Sequence, residues 1–189
     1  MKQFHCYYTA GLFALCSTVI VLWGSCAEKN CLGTDFTYSP DWTSEHLNNS
    51  GASPEPSLDD IPLVAYGIRI INTPVIAPYK DTRCDFFYLT NTVKQLQIFS
   101  LLPFDSLPAG AEVTDRFRAR VIAYQTVYLS VPEILDAMNY PVDGKFNPYY
   151  ADFILVNGPA GPDSCQFNIR LLFADSTIVN IPTNPVFLK

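Results

Sequence analysis

Histidine is nearly missing from this chain, with His5 and His46 the only two in 189 residues. A Ser-His-Asp or Cys-His site needs an imidazole held within hydrogen-bond reach of its nucleophile, and His46 falls in a polar stretch that reads as a tether. Zinc is disfavoured for the same reason, since no second histidine lies near His46 and no C-x-x-C pair accompanies it. Basic residues are also scarce, 12 against 18 acids, which argues against nucleic acid or an anionic bilayer surface as a partner. Glycine numbers nine, and residues 158–162, which hold two of them, also hold two prolines that remove the backbone donors a phosphate cradle needs. No internal repeat of useful period is visible, and nothing in the composition asks for a cofactor.

One long apolar run is present, from Cys6 to Trp23, and it carries no charge. It follows Lys2 and His5 and closes on Trp23-Gly24-Ser25-Cys26 before Glu28, Lys29 and Asn30, the layout of a bacterial secretory signal. The small-small-Cys ending resembles a lipobox, in which the cysteine becomes the first mature residue and takes a diacylglycerol on its sulfur. Trp23 stands where such motifs usually carry Leu, Val or Ile. Ser25-Cys26-Ala27 also satisfies the small-x-small rule of ordinary signal peptidase, and the run is about as long as the shortest membrane-spanning helix. Acylation of Cys26, plain secretion and an uncleaved anchor therefore stand side by side, with acylation preferred. Two or three acyl chains hold a protein stably on a bilayer where one does not, since each buried methylene contributes ~0.8 kcal/mol.

The expected organisation is a signal at 1–25, a tether at 26–60 and one domain at 61–189. Cleavage before Cys26 leaves 164 residues, and losing Lys2 takes the net charge from −6 to −7. With Cys26 acylated, Cys31, Cys84 and Cys165 remain, an odd number in a compartment that permits disulfides. The favoured pair is Cys84 with Cys165, both at the starts of predicted strands. Closing a loop of about 80 residues would stabilise the fold by ~4 kcal/mol in the chain-entropy model.

Aromatics at 14% and 15 prolines suit short strands joined by irregular turns. Residues 27–60 are rich in Ser, Asn, Pro and acids, yet Phe36, Tyr38 and Trp42 interrupt them, so residues 34–43 either dock as an added strand or belong to the tether. Beyond Ile61, alternation predicts strands over 62–72, 85–90, 93–102, 117–128, 151–157, 166–173, 177–181 and 186–188. Gln166–Phe173 is the clearest, with Phe167, Ile169, Leu171 and Phe173 on one side. Leu96 and Ile98 are expected to face inward, and Arg116, Arg118 and Arg120 to line the outer side of their strand. Ser130-Val131-Pro132-Glu133 reads as a capping box opening a short helix that ends at Asn139 or Tyr140. These elements, without βαβ alternation, predict a mainly β fold: an antiparallel β-sandwich, loosely immunoglobulin-like, with one short helix.

The run Val93-Lys94-Gln95-Leu96-Gln97-Ile98-Phe99-Ser100, then Phe104-Asp105, Pro108-Ala109-Gly110 and Thr114-Asp115-Arg116-Phe117, resembles a pattern in small uncharacterised lipoproteins of Bacteroidota with a β-rich domain of unknown function. The resemblance covers the middle third of the chain and its N-terminal address. It implies export and a β-rich fold, and it carries no activity. It also implies O-glycosylation motifs at Asp105-Ser106-Leu107 and Asp175-Ser176-Thr177, three-residue patterns that equally describe ordinary Asp-Ser turns.

Carboxylates supply the one catalytic candidate. Asp59-Asp60, or Glu112 with Asp115, could serve glycoside cleavage or calcium, although such acids in loops are usually just solvated. Tyr140, Phe146, Tyr149 and Tyr150 form a candidate contact platform for a protein or glycan, against the plainer reading that they cap the open end of the core. The sequence therefore predicts a non-enzymatic binding or structural module, lipid-anchored in the cell envelope, with the outer membrane as its expected place. The alternatives are a small carbohydrate-active enzyme and an accessory subunit of an envelope complex.

Overall fold

The computed structural model describes residues 34–57, 61–76, 87–122, 127–139, 149–161 and 163–189. The signal, Cys26 and the Asp59-Asp60 pair lie outside them. Cys31–Lys189 make one compact unit.

Three strands arise where a tether was expected: β1 (Thr34–Thr37), β2 (Trp42–Asn48) and β3 (Glu55–Pro56). β2 runs antiparallel along the whole of β4 (Tyr66–Asn72), from Trp42 opposite Asn72 to Asn48 opposite Tyr66. The domain boundary at 61 is thus corrected to residue 34 or earlier. The reason lies in what β2 does on its inner face, where polar side chains find main-chain partners on a distant part of the chain. The Ser44 hydroxyl donates to the Pro182 carbonyl at 2.8 Å, and a His46 ring nitrogen meets the Asn184 carbonyl at 2.9 Å. His46 is 6% exposed rather than part of a loose segment.

The chain continues through β5 (Val75–Ile76), β6 (Phe87–Leu89), β7 (Val93–Ser100), β8 (Phe117–Val121) and β9 (Leu129–Ser130). A 3-10 turn at Pro132–Ile134 leads into α1 (Leu135–Met138), and then follow β10 (Tyr149–Leu155), β11 (Asp163–Cys165), β12 (Phe167–Phe173), β13 (Ile178–Pro182) and β14 (Val186–Leu188). The larger sheet has the order β3-β2-β4-β10-β8-β9 and the facing one β13-β12-β7, with β11-β14 and β5-β1-β6 as smaller pieces. Every ladder between these strands is antiparallel except β1 with β6.

The two main sheets share one core. Ile68, Ile70, Ala119 and Phe153 of the larger sheet are buried in the same cluster as Leu96, Ile98, Ile169 and Leu171 of the smaller. Phe167 sits at its centre, with ring centroids 5.9 Å from Tyr66, 5.2 Å from Phe104 and 5.4 Å from Phe117. Among the described residues the fold is therefore a mainly β sandwich with one short helix. Val64 departs from the expected strand at 62–72: it is 86% exposed because residues 63–65 make a 3-10 turn before β4 begins.

Two local devices hold the frame. The Asn139 side chain accepts from the Val93 N–H and donates to the Val93 carbonyl, both at 2.8 Å, so a side-chain amide stands in for a strand at the edge of β7. Glu133 accepts from the Ser130 N–H at 2.8 Å, one arm of the expected capping box; the Ser130 hydroxyl donates to that same carboxylate instead of accepting from the backbone.

A chain begun at Ile61 would leave the β4 edge open and the Pro182 and Asn184 carbonyls without their partners. It is expected to show no cooperative thermal transition by circular dichroism, whereas a chain begun at Cys31 melts as a unit.

Candidate functional site

Tyr149 and Tyr150 are neighbours on β10, so their side chains leave opposite faces of the sheet and cannot share a platform. Tyr149 is 7% exposed and packs edge-on against Tyr38, with centroids 5.3 Å apart, and against Trp42 at 6.1 Å. It caps the end of the core. Tyr150 lies on the outer face, where the Arg69 guanidinium sits 5.4 Å from its ring centroid. Tyr140 and Phe146, the other two members of the expected platform, lie outside the described residues, as do Cys26 and Cys84. Cys165 carries a free, buried thiol in this structure, and the expected bond to Cys84 falls on a residue outside those described.

The outer face of the larger sheet holds a feature that alternation alone did not disclose. Glu45, Arg69, Asp152 and Arg120 stand side by side on β2, β4, β10 and β8, each in register with the next. Asp152 is fully buried, and Arg69 grips it with two prongs, Nε to Oδ1 at 2.6 Å and Nη2 to Oδ2 at 3.0 Å. Arg120 approaches the same Oδ2 at 3.5 Å, and Glu45 meets Arg69 at 3.5 Å. Tyr128 lies against Arg120 with 4.8 Å between guanidinium and centroid. Hydrogen bonding to Asp152 raises the Arg69 guanidinium above its ordinary value. The sequence did hold a signal, a lone acid inside an apolar strand and arginines at every second position of another.

A second polar line runs through the interior. The His46 nitrogen Nε2 faces the Asn184 carbonyl, which only accepts, so Nε2 carries the proton and Nδ1 accepts from the Tyr66 hydroxyl at 3.1 Å. Tyr66 in turn meets the Cys165 thiol, and burial is the main cause that pushes this thiol up to about 12. A thiol so protonated at neutral pH is a core group and not a nucleophile.

The groove of interest lies where β8 and β9 part. Their ladder ends with Arg118 opposite Ser130, because the next wall residues are Val131 and Pro132, which turn away into the 3-10 segment. A cavity of about 630 Å³ opens there, over buried Phe117 and Val131 and between Thr114 and Pro132. It brings together Glu112 and Asp115, the carboxylates singled out in the sequence, with Arg118. Glu112 is tied on both oxygens: Oε1 accepts from the Thr114 hydroxyl at 2.9 Å and Oε2 from the Gln97 amide at 3.1 Å. Arg118 donates from Nη1 to the main-chain carbonyls of Phe117 at 3.1 Å and Asp115 at 3.5 Å. Among the described residues, no group of three or more His, Cys, Asp or Glu side chains is placed to hold a metal ion. Ser106 and Ser176 are exposed at left-handed turn positions, with φ of 67° and 70°.

No family model matches the chain, and no curated protein matches it. A solved structure named BspA_C_mut aligns with 9% identity and a TM-score of 0.29, over 78% of this chain and 46% of that one. The chain thus spans under half the length of that structure, and nothing is carried across from it.

Replacing Asp152 with Asn leaves two arginines without their shared counter-charge. Since both are partly exposed, the expected loss is roughly 2–4 kcal/mol, read as a lower urea midpoint with unchanged slope. His46 sets an acid limit. Burial lowers its pKa below 6.5, so the folded state stays neutral where the unfolded chain takes up a proton. Its contribution to stability is complete above about pH 6.5 and is lost as pH falls from there towards the lowered value. Stability measured between pH 7 and 5 is expected to fall less steeply in His46→Gln than in the parent; equal slopes would remove His46 as the cause.

Proposed function

We propose that this chain is an exported envelope lipoprotein whose β-sandwich works as a non-enzymatic binding or structural module. The observation that carries the reading is the uncharged Cys6–Trp23 run closing on Gly24-Ser25-Cys26, with folded chain by Thr34. Seven residues then separate an acylated Cys26 from β1, a reach of at most about 30 Å even when fully extended. The domain is held close to its bilayer, not carried on a long stalk. Placement in the outer membrane, on either its periplasmic or its outer face, belongs to the same proposal.

The arrangement of charge favours binding over turnover. The buried Asp152 is neutralised by two arginines, and both oxygens of Glu112 are occupied by neutral donors. A small carbohydrate-active enzyme is the second reading, favoured by the meeting of Glu112 and Asp115 in one groove.

In the native host, Cys26→Ala is expected to move the protein out of the membrane fraction. A variant that stayed there after an alkaline wash would rule out acylation as the anchor.

A further inference from the structure

We propose that the groove between β8 and Pro132 is a binding site for a neutral, polyhydroxylated ligand, a saccharide. This rests on the binding-module reading and adds to it a place and a ligand class. Arg69, Arg116 and Arg120 each face a carboxylate, Arg116 through Asp105 at 3.0 Å. Arg118 makes no close ion pair: its bonds go from Nη1 to two main-chain carbonyls, leaving Nε and Nη2 without a hydrogen-bond partner among the described residues. Across the same groove Glu112 accepts from neutral groups only, and the Asp115 carboxylate stands exposed on its 3-10 turn. Charges of both signs therefore line one cavity with no close ion pair to Arg118 among the described residues, and Glu133 at the rim feels its guanidinium only through space.

That combination selects by exclusion. Two carboxylates against one guanidinium give the lining a negative balance, and Glu133, bonded to Ser130 at its rim, adds to it. A phosphate, sulfate or carboxylate ligand would be repelled. A cationic ligand would be drawn by that balance and opposed only by Arg118, so preferential retention of amino-substituted glycans would overturn the neutral-ligand reading. A hydroxyl both donates and accepts, so vicinal hydroxyls can take hydrogens from the free edge of Arg118 and give hydrogens to Asp115 and Glu112. Pro132 supplies an apolar wall for the carbon face of a ring, and about 630 Å³ falls within the usual range of ligand sites.

The test is an array of neutral, anionic and amino-substituted glycans probed with the full-length protein in detergent. Retention on neutral glycans is expected, with at least tenfold weaker binding in Arg118→Ala and in Asp115→Asn, each at an unchanged thermal midpoint. Arg170→Ala, on the smaller sheet, should bind like the parent. The proposal falls if no neutral glycan is retained, if anionic or amino-substituted glycans are preferred, or if both groove variants bind undiminished. Undiminished binding would leave the binding-module reading standing with its site elsewhere. Release of reducing ends from a bound glycan would keep the groove as a saccharide site and overturn the non-enzymatic reading.

Discussion

The carboxylate of Asp152 constrains everything around it. A buried charge costs several kcal/mol unless it is well paired and hydrogen-bonded, and this one is matched by a two-pronged arginine from one neighbouring strand and a second arginine from the other. The pairing works at a single register. A slip of one residue in β10 would turn Asp152 into the apolar interior and Phe153 out to the arginines. The ion row thus fixes β4, β10 and β8 against one another, and Glu45 adds β2. The inner face follows from that alignment, with Ile68, Phe153 and Ala119 brought level across the same three strands.

Where strand pairing runs out, side-chain amides and carbonyl contacts take over. Asn139 satisfies Val93 in both directions, and Asn72 does the same for Ser39, accepting from its N–H at 3.1 Å and donating to its carbonyl at 2.9 Å. On β4, Gly67 meets a different need. A Cβ there would lie 2.9 Å from the Phe153 carbonyl and 2.6 Å from the Ile154 side chain, so the close packing of β10 over β4 depends on its absence.

Much of the sandwich was legible in the sequence where one side of a strand is apolar and the other polar. β12 alternates without fault from Phe167 to Phe173, and the inward facing of Leu96 and Ile98 is as the pattern demands. β2 defeats the same method, because Ser44 and His46 lie on the inner face while Leu47, itself fully buried, lies on the other; the partners of Ser44 and His46 are carbonyls of residues 182 and 184, which are distant in sequence. The groove carboxylates are legible as acids but not as neighbours of Arg118, since it is the 3-10 turn at Thr114–Arg116, invisible to alternation, that folds Asp115 back beside Arg118. Tyr149 and Tyr150 illustrate the opposite failure, two adjacent aromatics that a strand necessarily sends apart.

The strand order also sets a sequence of events in time. β2 with β4, and β8 with β9, are local pairs that can form as soon as each has been synthesised. β10, which lies between them, emerges last of the five. Until about residue 155 exists, the larger sheet is two separate halves, each with an open inner edge and an arginine awaiting its partner. A chain halted before that point exposes two edges ready to pair with the wrong strand, so the late arrival of one segment governs when the molecule becomes safe from association.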